Sequence, residues 1–148
     1  MILRSFITIT LLSFLGISTV QAADCRIVDG KLNFGPLNAD KNKETVGEIT
    51  VTCSGMTSDL PFSLSLENSN QLSMDNGQGG LMYYRLYTSA NGTILWNENN
   101  VIKGTIKNVG GYGKSVQPFY GRIINYNRLF KPGEYNNKSN LPVINLVY

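Results

Sequence analysis

The chain has 148 residues, 42% of them hydrophobic and 16% charged, with a net charge of +3 and no histidine. That length favours a single domain, and the weak, scattered basicity lacks the Lys/Arg stripe of a nucleic-acid binder. Without histidine the chain loses the usual general base, the Ser-His-Asp and Cys-His arrangements, and the commonest zinc ligand.

The first stretch reads as an export leader. Arg4 supplies a positive start, Phe6 to Ile17 is an apolar run, and Val20-Gln21-Ala22 offers small or aliphatic residues at the −3 and −1 positions. Residues 1–22 are therefore predicted to be a signal peptide cleaved after Ala22, leaving 23–148 as the mature domain. The apolar run falls short of the roughly 20 residues needed to cross a bilayer, so no membrane span is expected in the mature chain.

Two cysteines follow, Cys25 and Cys53. In an oxidising compartment the default for such a pair is a disulfide, and no third ligand with zinc spacing accompanies them. Between them Leu32 to Phe34 is a first candidate strand, and Lys41, Lys43 and Glu44 read as a solvated loop. Ile49-Thr50-Val51-Thr52-Cys53 is the clearest strand, with Ile49, Val51 and Cys53 on the inner face and two threonines on the outer. Phe62-Ser63-Leu64-Ser65-Leu66 repeats the pattern.

Asp75 to Gly80 reads as a loop, and Asn91-Gly92, Gly110-Gly111 and Pro132-Gly133 as turns. They separate further candidate strands at Tyr83 to Tyr87, Ile94 to Trp96, Val101 to Ile106, Val116 to Ile124 and Pro142 to Tyr148. In the last, Ile144, Leu146 and Tyr148 are expected to point inward. No window holds a sustained 3.6-residue apolar period, so almost no helix is expected. Short strands at this spacing, with one inter-strand disulfide, predict an all-β fold of the immunoglobulin-like sandwich type.

No catalytic constellation stands out, and neither an enzyme nor a cofactor or metal is expected. Asp59, Glu67, Asp75, Glu98 and Glu134 are dispersed carboxylates, from which a glycosidase pair could be drawn only by an accident of the fold. Gly110 to Ser115 has the wrong spacing for a phosphate loop. Tyr83, Tyr84, Tyr87, Trp96, Phe119, Tyr120, Tyr126, Phe130 and Tyr135 read mainly as core or sheet-edge cover.

Taken together, these pieces resemble the spore coat protein U domain family, which includes subunits of archaic chaperone–usher pili. Leu32-Asn33-Phe34-Gly35 resembles its "FG" near the first strand, and Gly47 to Ser54 its "G-x-I-x-V-x-C" strand. Tyr84-Arg85-Leu86-Tyr87 followed by Trp96 resembles "Y-x-L-Y … W", and Phe119-Tyr120-Gly121-Arg122-Ile123 resembles the "YGR" strand. Pro132-Gly133-Glu134-Tyr135 and the closing alternating strand complete the order. Asn97 stands where Gly often follows the Trp, and Asn136-Asn137 where a residue and then Asp are usual.

The resemblance implies a sandwich lacking one strand, with an apolar groove between the first strand and the last. By analogy Leu32, Phe34, Ile144 and Leu146 are the candidate groove lining. It implies as partners a periplasmic chaperone, an outer-membrane usher and neighbouring pilus subunits, which fill the groove by donor-strand complementation. The expected location is the cell surface, reached through the periplasm, with a role in attachment and biofilm. Donor segments in this family precede the first cysteine by about a dozen residues or more. Here cleavage after Ala22 leaves only Ala23 and Asp24, too short to pair along a groove at ~3.3 Å per residue. The expectation is a terminal or accessory subunit. A tip-type adhesin, touching a surface or glycan through Ser73 to Gly80 and Asn97 to Asn100, is the alternative; a carboxylate-dependent secreted hydrolase stands behind it.

Overall fold

The alternation of apolar and polar residues becomes eight strands: β1 (Asp24–Lys31), β2 (Glu44–Ser54), β3 (Leu60–Leu66), β4 (Ser73–Asp75), β5 (Leu81–Tyr87), β6 (Ile102–Ile106), β7 (Tyr112–Ile123) and β8 (Ile144–Val147). The computed structural model describes residues 22–36, 44–124, 133–138 and 140–148. Residues 1–21 of the leader, Lys41, Lys43, Tyr126, Phe130 and Pro132 lie outside the described residues. Among those described there is no helix, and so none long and apolar enough to cross a membrane.

Two antiparallel sheets form, one of five strands in the order β1-β2-β7-β5-β4 and one of three in the order β6-β3-β8. They face each other as an immunoglobulin-like sandwich. Ile49, Val51 and Cys53 of β2 meet Phe62, Leu64 and Leu66 of β3 in one core, with Met82, Leu86, Trp96, Ile106 and Ile123. Trp96 is fully buried, its ring 5.5 Å from that of Phe119 and its indole N–H donating to the Leu64 carbonyl at 2.9 Å. A tight hairpin joins the sheets: Val109 and Tyr112 exchange backbone hydrogen bonds around Gly110 and Gly111, both at positive φ. That turn needs φ > 0 at both central positions, which glycine adopts without steric cost.

Cys25 and Cys53 lie directly opposite each other on β1 and β2 and are joined. The bridge therefore staples strands within one sheet, not one sheet to the other. Cys53 belongs to the core at 1% exposure, while Cys25 stays half-buried at the sheet edge.

Several expectations need correction. The first strand is Asp24–Lys31, and Leu32 to Phe34 is not a strand. After Lys31 the chain leaves β2, beside Gly47, where the Phe119 ring and the Lys31 carbonyl leave no room for a side chain. An Asx turn, with Gly35 N–H donating to Asn33 Oδ1 at 2.7 Å, then drives Phe34 inward. Ser73–Asp75, read as connection, forms edge strand β4. Of Ile94 to Trp96 only Leu95 pairs, with Tyr87. Thr52 keeps to the outer face as its spacing requires, and is buried there, flanked in register by the long side chains of Arg26 and Lys114. Tyr148 is 51% exposed instead of pointing inward, since β8 pairing stops at Val147.

Candidate functional site

β8 has one neighbour. Its register with β3 pairs Ile144 with Leu66, Asn145 with Ser65, Leu146 with Leu64 and Val147 with Ser63. Glu67 N–H donates to the Val143 carbonyl at 3.0 Å, so 143 and 67 are a hydrogen-bonded pair. Antiparallel ladders alternate bonded and non-bonded pairs, which places Asn145 and Val147 in bonded pairs with β3 as well. The backbone N–H and C=O of Ile144 and Leu146 consequently point away from β3, along the free edge. Their side chains point the other way from those of Asn145 and Val147 and pack on the core.

The approach to β8 is tied to the end of β3, and Asn140 before it is tied to Ser73 of β4, its Nδ2 lying 3.1 Å from Ser73 Oγ. Val143 N–H donates to Asn68 Oδ1 at 3.0 Å, Asn68 Nδ2 to the Leu141 carbonyl at 3.1 Å, and Asn145 Nδ2 to Glu67 Oε1 at 2.7 Å. β4, at the far edge of the other sheet, is covered: Asp75 and Asn136 exchange both backbone hydrogen bonds, at 2.8 and 3.0 Å. An uncovered edge is a template for pairing with another chain.

β1 is one edge of the five-stranded sheet, and it pairs with β2 and not with β8. The apolar residues that pack on the core yet stay partly open include Ala23, Cys25, Ile27 and Leu32 from the β1 side, and Ile144 and Leu146 from β8. Among the described residues, six of the nine such positions thus lie on or directly beside the two terminal strands, the others being Leu60, Met74 and Tyr135. Of the residues expected to line a groove there, Ile144, Leu146 and Leu32 are half-buried. Phe34 sits deeper, at 7% exposure, with its ring edge-on to Tyr84 at 5.9 Å and against Gly121. Ala23 and Ile27 were not among the residues singled out from sequence. The alternation Ala23-Asp24-Cys25-Arg26-Ile27 is the signal that points to them.

Three of the five dispersed carboxylates, Asp59, Glu67 and Asp75, make structural hydrogen bonds. Asp59 accepts from Lys107 Nζ at 2.6 Å and from Asn108 N–H at 2.9 Å. Those two donors hold its carboxyl below the usual value, the wrong direction for a general acid. Glu67 takes the Asn145 amide, and Asp75 caps Gly77 N–H at 3.0 Å. No cluster of three or more metal-ligating side chains occurs among the described residues. Tyr84 is buried, which pushes its phenol up, while a hydrogen bond with the Asn137 side chain opposes the shift. Asn137 therefore serves as a polar anchor even where Asp is usual. Asn97 caps Asn99 and Asn100 N–H, both at 2.8 Å.

Comparison with known proteins bears on the family and the fold. The family described as Spore Coat Protein U domain matches residues 11–139. No curated protein sequence matches. Among solved structures the chain is similar to one in the crystal structure of the chaperone–tip adhesion subunit pre-assembly complex from the archaic chaperone–usher Csu pili of Acinetobacter baumannii, at 20% identity and a TM-score of 0.53. The similarity covers 85% of this chain and 39% of that one, and at such identity it establishes a shared fold.

Proposed function

Because the chain belongs to the spore coat protein U domain family, we propose that it is a subunit of an extracellular chaperone–usher pilus, completed by a strand that another polypeptide lays beside β8. The observation that carries this reading is the outward-facing backbone of Ile144 and Leu146, above side chains that only half cover the core. An incoming strand would satisfy those groups and bury the seam in one step. Its partners would be a periplasmic chaperone during transit, the outer-membrane usher, and neighbouring subunits. Family and fold point to a structural, non-enzymatic protein.

The leader, residues 1–22, would direct export, and the assembled fibre would stand on the cell surface, supporting attachment and biofilm. With cleavage after Ala22 the subunit would accept a strand without offering one. Asp24 already pairs with Ser54, and β1 onward is committed to β2. Such a subunit belongs at an end of the fibre or in an accessory role.

Ile144→Pro tests the reading. Proline is tolerated at the first residue of a strand, and the N–H it removes here faces the open edge and not β3. The variant is expected to keep the β signature of the parent in the periplasm but to be absent from purified fibres. Normal incorporation would contradict the proposal. N-terminal sequencing of the same fibres checks the terminal assignment, which fails if the mature chain begins ten or so residues before Ala23.

A further inference from the structure

A cavity of about 280 Å³ opens on the outer face of the five-stranded sheet, whereas β8 belongs to the other sheet. Its floor follows from register. Val46 of β2, Tyr120 of β7 and Tyr87 of β5 lie side by side across the sheet, and Glu44 and Arg122 form the next row. These positions alternate with the inward-facing residues of the same strands and so point outward. The wall is the turn after β5, with Ala90 and Gly92 facing the cavity.

That wall is held firmly by its own hydrogen bonds. Ser89 Oγ accepts from Thr93 N–H at 3.2 Å and Ile94 N–H at 3.0 Å, and Asn91 Oδ1 accepts from the Thr93 hydroxyl at 2.7 Å. Gly92 stands at φ +61°, and a Cβ there would collide with the Arg122 guanidinium. The guanidinium lies over the Tyr87 ring at 5.3 Å and donates through Nε to Glu44 Oε1 at 2.6 Å. Its Nη2 is 2.5 Å from the same carboxylate oxygen.

Tyr87 is only 8% exposed. Its hydroxyl has no hydrogen-bond partner among the described residues, yet it is not a sealed, unsatisfied atom either. The small part of this side chain left open therefore includes its hydroxyl, and the residue lines the cavity. A hydroxyl that is open and has no partner among the described residues can both donate to and accept from a ligand in the cavity.

We propose that this cavity binds a neutral saccharide, one hexose ring or the end of a neutral glycan chain. Arg122 is matched by Glu44, so the lining offers no unopposed charge to an anion or a cation; Arg85, next in register, lies outside it. Aromatic and aliphatic surface from Tyr120 and Val46 suits the C–H face of a sugar ring, the Tyr87 ring being covered by Arg122, and the arginine–carboxylate pair supplies adjacent donors and acceptors for neighbouring hydroxyls. Small-molecule sites are typically this kind of mostly apolar concavity with a few fixed polar groups, and this one lies near the lower end of their usual size. The proposal is independent of strand exchange, because the cavity and the β8 edge lie on different surfaces.

The test is ligand-observed NMR titration of the exported protein with glucose, galactose, mannose and their neutral disaccharides. Glucuronic acid, N-acetylneuraminic acid and an aromatic tripeptide form the comparison arms. At least one neutral sugar is expected to bind with Kd on the order of millimolar or tighter. Tyr87→Phe, which removes one oxygen, is expected to weaken it roughly three- to tenfold at unchanged melting temperature. Tyr112→Ala, outside the cavity, is expected to leave affinity unchanged. No binding by any neutral sugar, tighter binding of the acidic sugars or the peptide, or equal affinity in Tyr87→Phe would each overturn the assignment.

Discussion

Replacing Cys25 or Cys53 with serine is expected to lower the unfolding free energy by about 3–4 kcal/mol, the chain-entropy value for a loop of this length. The two residues are 28 apart in sequence and face each other across β1 and β2. A domain of this size has a margin of roughly 5–15 kcal/mol, so the loss is a large share of it. The position makes the effect more than a matter of loop entropy. β1 is an edge strand with one neighbour, and the bridge holds it against β2. Once it frays, the edge of β2 becomes a second exposed template. Cys53→Ser is expected to be the worse of the two, since it puts a hydroxyl into the core whereas Cys25 lies at the rim. Urea unfolding and periplasmic yield are the readouts, and unchanged values in both variants would contradict this account of the staple.

Trp96→Ala is expected to cost about 3–5 kcal/mol, the usual range for truncating a large buried aromatic. Trp96 ties together parts of the chain that are distant in sequence: its backbone N–H donates to Leu86 of β5 at 2.9 Å and its indole N–H to Leu64 of β3. One residue thus links both sheets, through a backbone bond to one and a side-chain bond to the other, and Phe119 of β7 packs against its ring. Trp96→Phe separates packing from polarity. It retains most of the ring contact but removes the donor from the Leu64 carbonyl, and a loss of about 1–3 kcal/mol is expected for that orphaned acceptor. The expected order of denaturation midpoints is wild type, then phenylalanine, then alanine. A phenylalanine variant as stable as wild type would show that the hydrogen bond contributes nothing measurable.

Where the sequence alternated cleanly, the fold was readable. Ile49, Val51 and Cys53 and then Phe62, Leu64 and Leu66 all reach the core as their spacing requires. β1 escaped notice because Asp24 to Lys31 is rich in charge, and a bulge between Ile27 and Asp29 breaks its alternation. β4 is three residues long, too short to show a period. Tyr148 followed the inward pattern of Ile144 and Leu146, but alternation directs a side chain only while a partner strand continues beside it. The groove residues Leu32, Phe34, Ile144 and Leu146 were expected through family resemblance, whereas the half-buried positions of Ala23 and Ile27 emerge from the fold. The cavity was not legible at all. Glu44 and Arg122 are 78 positions apart, and only the pairing of β2 with β7 brings them together.

Amide hydrogen exchange along β8 of the isolated chain bears most directly on whether this fold waits for a borrowed strand. The amides of Asn145 and Val147, bonded to β3, should be protected, while those of Ile144 and Leu146 should exchange like loop residues and become slow once fibres form. Strong protection at Ile144 and Leu146 in the chain alone would mean the edge is already filled, and the proposed mechanism of assembly would be wrong.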